Sequence, residues 1–172
     1  MNSFSSSFEQ YKILRKFDRL TKALIDSSSI IYMKKAGFLN LLSEHVSLFT
    51  IEEIAREVGE ELSNINIIES DFNQNSNDNK LINCAITNRL CVISEDKKLL
   101  LKLEKEKLDY YNSLMILNLL LYRKKISLEQ YYNYQTRLKV VSRYSDEVWR
   151  IGKFVFDFII EFTLKSPKGL SP

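Results

Sequence analysis

Residues 76–98 read SNDNKLINCAITNRLCVISEDKK. Leu81, Ile82, Ala85 and Ile86 recur at helical spacing, and Leu90, Cys91, Val92 and Ile93 form an unbroken apolar run of the kind a buried parallel strand uses. The stretch therefore predicts a loop, a helix over 77–89, a strand over 90–94 and a second loop. Asp78 stands at the head of the helix and Asp96 just past the strand. In an open α/β sheet a helix start and a strand's C-terminal end open on the same edge, where ligands bind. Two acids far apart in the chain can meet there.

Upstream, the same alternation recurs. Phe8, Tyr11, Leu14 and Phe17 suggest an N-terminal helix capped by serines 5 to 7. Ala23, Leu24 and Ile25 read as a short buried strand ending at Asp26, after which Ser27, Ser28 and Ser29 supply a cap for a helix closed by Gly37. Phe38, Leu39, Leu41 and Leu42 suggest a second short helix, and Val46 to Phe49 a second strand. Thr50 is placed to cap IEEIAREVG, whose Ile51, Ile54, Ala55 and Val58 share one face and whose Gly59 ends it. Glu52 and Glu53 fall in the first turn of that helix, where the dipole favours them, and Glu57 in the last, where it does not. Asn66 to Ile68 form an apolar island before the polar run 69–79, the most mobile loop by composition.

Downstream, Lys97 to Lys107 is a helix with Leu99, Leu100 and Leu103 inside, and Leu108 to Tyr111 a short strand. Three helical runs follow, and Ser127 with Gln130 forms a capping box for the middle one. A strand followed each time by a helix implies a parallel sheet. The expected fold is a three-layer α/β/α arrangement with a parallel sheet of four or five strands plus additional C-terminal helices. It divides into a helical extension over 1–20, an α/β core over 21–111, helices packed on it over 112–164 and a flexible tail over 165–172.

Composition narrows the class. The chain has 172 residues with 45% hydrophobic, enough for one sizeable core, and its 4 Gly and 2 Pro argue against an all-β fold of tight hairpins. A net charge of +3 permits a polyanionic partner without demanding one. Cys84 and Cys91 lack zinc spacing and the single His45 lies elsewhere, so buried thiols are expected rather than a metal centre of the zinc type or a disulfide. No apolar run is long enough for a membrane span and the first residues lack a secretory core, so a soluble, cytoplasmic protein is expected.

These features together resemble the PIN domain, the family of metal-dependent nucleases that includes toxin ribonucleases of bacterial toxin–antitoxin pairs. LIDSSSIIY matches the family's first strand, ending in Asp26 and a hydroxyl residue. EEIAREV offers the second acid, Glu57, with Glu53 as the alternative. Asp78 in SNDNKLINCAI matches the third acid, and Ser94 with Asp96 in VISED match the hydroxyl residue and Asp that end the fourth strand. YYNSLMILNLLLYRKKISLEQ resembles the tail of a PIN-like subgroup, so the likeness covers about residues 22–150. Thr50 stands where the family often has Pro.

The resemblance implies an endoribonuclease that leaves a 5′-phosphate and a 3′-hydroxyl, with catalytic Asp26, Glu57, Asp78, Asp96 and Ser94 and with Asp26, Asp78 and Asp96 as metal ligands. Clustered carboxylates repel one another unless a cation joins them, and an all-oxygen set suits Mg²⁺ or Mn²⁺. The expected partners are an RNA substrate, an antitoxin protein and a second copy of the chain. The alternative is a catalytically inactive module that binds RNA or a protein. Taken singly, each Asp also suits a turn or an N-cap. Lys97, Lys98, Lys102, Lys105, Lys107, Arg123, Lys124 and Lys125 suit an RNA backbone or a solvated face.

Overall fold

The computed structural model describes residues 3–59, 62–69 and 76–165, with side chains from Tyr11 to Leu164. The tail 166–172 and residues 70–75 of the polar loop lie outside the described residues, as does the Phe8 side chain.

Five strands form one all-parallel sheet: β1 (Lys22–Ile25), β2 (Ser47–Ile51), β3 (Asn66–Ile68), β4 (Cys91–Ile93) and β5 (Tyr110–Tyr111), in the order β3-β2-β1-β4-β5. Leu24 is the pivot of the register, paired with Phe49 on one side and Val92 on the other. Ala23, Leu24 and Ile25 are fully buried, as a strand covered on both faces requires. The apolar island at Asn66–Ile68 is the edge strand β3.

The first crossovers run through α2 (Ser27–Ala36), α3 (Leu39–Ser43) and α4 (Glu52–Val58), moving outward from β1 to β3. The chain then returns through α5 (Asn77–Asn88) to β4 and continues through α6 (Lys97–Lys105) to β5. Right-handed crossovers in opposite directions place these two groups of helices on opposite faces, giving three α/β/α layers. Gly37 ends α2 at φ 91°, with its N–H donating to the Met33 and Lys34 carbonyls, and Gly59 ends α4 at φ 68°. Both need the left-handed conformation that glycine adopts without strain.

Three expected caps are different, the first because serines 5 to 7 lie inside the N-terminal helix, which begins at Ser3. Asp26, not the serines, is the N-cap of α2, accepting from the Ser27 N–H at 2.8 Å; the carboxylate is already at the strand end and serves the same first turn. Thr50 continues β2 and its hydroxyl donates to the Ile25 carbonyl at 2.9 Å. Ile51 occupies the N-cap position of α4 with no side-chain bond.

The C-terminal helices α7 (Ser113–Tyr122), α8 (Leu128–Val141) and α9 (Asp146–Lys165) pack on the α2 face. α7 is apolar almost all round and buries Leu114, Ile116, Leu117, Asn118, Leu119 and Leu120, so it must be covered on every side. α2, α8 and α9 provide the cover. Gly152 makes the approach of α9 possible, since a Cβ there would lie 2.3 Å from Leu114 Cδ2. Inside this layer Asn118 donates to the Gly152 carbonyl at 3.0 Å and accepts from the Tyr131 hydroxyl at 2.8 Å. The Ser127–Gln130 capping box forms in both directions.

α1 (Ser3–Arg19) docks through Leu14 and Phe17, whose ring meets Tyr111 and Tyr122. Arg123 fastens its C-terminus, donating to the carbonyls of Phe17 and, at 2.8 Å, Leu20. The guanidinium thus serves carbonyls at a helix end, adding to the Leu20 N–H that the Phe17 carbonyl already accepts at 3.3 Å. Among the described residues no helix is long and apolar enough to cross a membrane.

Candidate functional site

The strand order reverses between β1 and β4, because β1 connects outward toward β2 while β4 connects toward β5. At such a switch point the two following loops diverge to opposite faces and leave a crevice at the C-terminal edge. Asp26 stands at the end of β1 and Ser94, Glu95 and Asp96 at the end of β4. The Asp26 N–H donates to the Ile93 carbonyl at 2.9 Å, so the two strand ends remain zipped to the edge of the crevice.

Asp26 accepts at Oδ1 from the Ser27 N–H at 2.8 Å and at Oδ2 from the hydroxyls of Ser28 at 3.1 Å and Ser94 at 3.0 Å. Burial pushes its carboxyl above the ordinary Asp range; the bonds from Ser94, Ser27 and Ser28 oppose this, and the charge of Asp78 adds to the rise. Ser94 is fully buried. Its hydroxyl donates to Asp26 and accepts from the Asp96 N–H at 3.1 Å, which fixes the hydroxyl's direction. Asp96 caps α6, with Oδ1 accepting from the Lys98 N–H at 2.7 Å and the Leu99 N–H at 3.4 Å.

The structure thus joins the Asp26 carboxylate, the Ser94 hydroxyl and the backbone N–H of Asp96 in one bonded chain, while the Asp96 carboxylate itself caps α6. Asp78, in the first turn of α5, is close enough to act electrostatically on Asp26, and its Oδ2 lies 3.8 Å from Lys102 Nζ. Glu53, in the first turn of α4, pairs with Lys80 at 2.6 Å and bridges α4 to α5. Glu57 is exposed on the last turn of α4, one turn beyond Glu53 and farther from the strand end.

The chemistry of this donor set suits a hard divalent cation. Mg²⁺ is commonly held by one or two carboxylates plus waters and substrate phosphates, so Asp26 and Asp96 are sufficient in number, with Asp78 able to act through water. The raised carboxyl of Asp26 beside the Asp78 charge is the electrostatic cost a cation would relieve. Among the described residues no three His, Cys, Asp or Glu side chains form a ready-made metal cage. The thiols lie elsewhere: Cys84 is buried, and Cys91 donates to the Lys22 carbonyl at 2.9 Å, burial pushing its pKa to about 12.

Sequence reasoning passed over Glu95. Its Oε1 accepts from the Ser29 hydroxyl at 2.8 Å and from the backbone N–H and hydroxyl of Ser113, and its Oε2 accepts from the Tyr144 hydroxyl. Burial and the neighbouring carboxylate push the Tyr144 phenol up, so it remains a donor. The signal available in the sequence was the first acid of VISED, between Ser94 and Asp96; its partners come from positions only the tertiary fold brings near.

No protein-family model matches the chain, and no curated protein matches it.

Proposed function

We propose that the protein is a PIN-type, Mg²⁺- or Mn²⁺-dependent endoribonuclease of the cytoplasm. The observation that carries this reading is the Asp26–Ser94–Asp96 chain at the switch point, with Asp78 acting on Asp26. Asp26 and Asp96 would hold the cation and Asp78 would add charge to its surroundings. A bound cation supplies Lewis-acid activation of water and neutralises charge on the phosphodiester oxygens. Ser94 keeps its proton aimed at Oδ2 of Asp26, which holds that carboxylate in one orientation. Lys97 and Lys98, exposed at the head of α6 beside Asp96, would meet the RNA backbone. Glu57 or Glu53 is the fourth acid of the proposed site.

An antitoxin protein or a second copy of the chain is the proposed cover for Ile151 and Phe154, which α9 leaves exposed. The second reading is an inactive module that binds RNA or a protein. It is favoured by the protein's own cations, since Lys80 already pairs with Glu53 and Lys102 approaches Asp78.

A Mn²⁺ titration followed by thermal melting separates the two. A ligand bound only by the folded state at about 100 times its dissociation constant adds roughly 2.7 kcal/mol. The nuclease reading expects a rising melting temperature that Asp26→Asn abolishes; a flat one supports the inactive module.

A further inference from the structure

Glu95 lies between Ser94 and Asp96 but points away from both, into the C-terminal helical layer. Its donors come from three separate places: Ser29 in the first turn of α2, Ser113 at the start of α7 and Tyr144 in the connection between α8 and α9. Ser29 and Ser113 are fully buried. Tyr144 is held in turn, its ring standing edge-on to Tyr32 at 6.0 Å and to Trp149 at 5.5 Å, while the Tyr32 hydroxyl accepts from the Arg143 N–H at 3.2 Å.

The Ser29–Glu95 bond mirrors the Ser94–Asp26 bond. Ser94, at the end of β4, donates to the acid that ends β1, and Ser29, in the first turn of the helix after β1, donates to an acid beyond β4, so two hydroxyl–carboxylate ties join the two segments. A carboxylate accepting from four donors has one orientation, and its own backbone is held with it. That backbone is the turn carrying the Ser94 hydroxyl and the Asp96 N–H.

We infer that Glu95 is a positioning residue for the acid crevice, and that the Tyr144–Glu95 bond makes the α8–α9 connection part of the site. Tyr144 pins Glu95, and Glu95 pins the turn that sets Ser94 and Asp96 opposite Asp26. The consequence for cation binding rests on the function proposed above. Groups bonded directly to a metal ligand typically change metal affinity by about 10- to 100-fold when removed, and Tyr144 acts from farther back, through Glu95 and its backbone, so its effect should be smaller.

The test compares the full chain with Tyr144→Phe and Glu95→Gln, and with Tyr122→Phe as a control, whose hydroxyl bonds Asp18 at 3.0 Å away from the crevice. In the metal-free proteins, the backbone amide resonances of Ser27, Ser94, Asp96 and Lys98 should move in the first two variants and stay put in the control. The Mn²⁺ dissociation constant should rise severalfold in Tyr144→Phe and stay unchanged in the control, measured at a temperature where both variants are folded. Amides of Ser94 and Asp96 unmoved by Tyr144→Phe would overturn the inference, as would moved amides with unchanged Mn²⁺ affinity. If the unsubstituted protein binds no Mn²⁺ yet the amides move, the cation reading fails and the positioning role stands. Should Glu95→Gln not fold, Tyr144→Phe decides alone, since it removes one hydroxyl and keeps the ring.

Discussion

The Ser94 hydroxyl donates to Oδ2 of Asp26 at 3.0 Å although the two residues lie 68 positions apart. The bond spans adjacent parallel strands at the point where the chain's winding reverses, and it ties the α2 cap to the turn that begins α6. Of the bonds that lower the Asp26 pKa, the one from Ser94 acts most. Ser94→Ala should therefore raise that pKa further, because the charged form loses a donor while its burial is unchanged. Carboxyl-carbon NMR titration of both proteins measures this, and a fall would mean that solvent, not the hydroxyl, controls the group.

The sign of the pH dependence of stability follows from burial of Asp26. Its folded pKa is raised, so the folded protein binds that proton more tightly than the unfolded chain does. Below about pH 4 both states are protonated and the group costs nothing. As pH rises from there through the folded pKa, a buried carboxyl must charge and stability falls, then stays lower. Asp26→Asn keeps a good cap for α2 and removes the titration. The metal-free urea midpoint of the unsubstituted protein, taken relative to Asp26→Asn, should fall from about pH 4 upward and then level off. A difference that is flat, or that rises with pH, contradicts this assignment.

The α7–α9 contact depends on Gly152. An alanine Cβ would meet Leu114 Cδ2 at 2.3 Å and Cγ at 2.8 Å, and Leu114 is buried with little room to yield. Alanine gains up to about 1 kcal/mol of helix propensity over glycine, while overpacking costs roughly 1–3 kcal/mol. Net destabilisation is expected for Gly152→Ala. Combining it with Leu114→Ala should be less harmful than the sum of the two, a coupling that denaturant unfolding of all four proteins measures. Strict additivity would show that the helices move apart instead.

The alternation of apolar runs with amphipathic ones made the parallel sheet readable, and Leu24, Val92 and Phe49 lie where that pattern put strands. Asp26 and Asp96 were legible because a strand end and a helix start leave few places for an acid to go. Caps were harder: Asp26 and Thr50 compete with neighbouring hydroxyl residues for similar local roles, and only the point at which each strand ends decides between them. Arg123 looked available to a polyanion until the fold brought the end of α1 to it. Glu95 was illegible for the same reason, since Ser29, Ser113 and Tyr144 reach it through packing that no local spacing encodes.

The central claim is that Asp96 helps hold a catalytic cation, and Asp96→Asn tests it most directly. Asparagine can still accept from the Lys98 and Leu99 N–H groups, so the α6 cap and the metal-free melting temperature should survive. Loss of one charged ligand should lower Mn²⁺-dependent RNA cleavage by about a hundredfold or more, roughly 2.7 kcal/mol of transition-state stabilisation. The measurement is single-turnover cleavage of a structured RNA in Mn²⁺ by both proteins, with their melting temperatures alongside. A hundredfold loss at an unchanged melting temperature is the predicted result, and equal cleavage by the two proteins would contradict it.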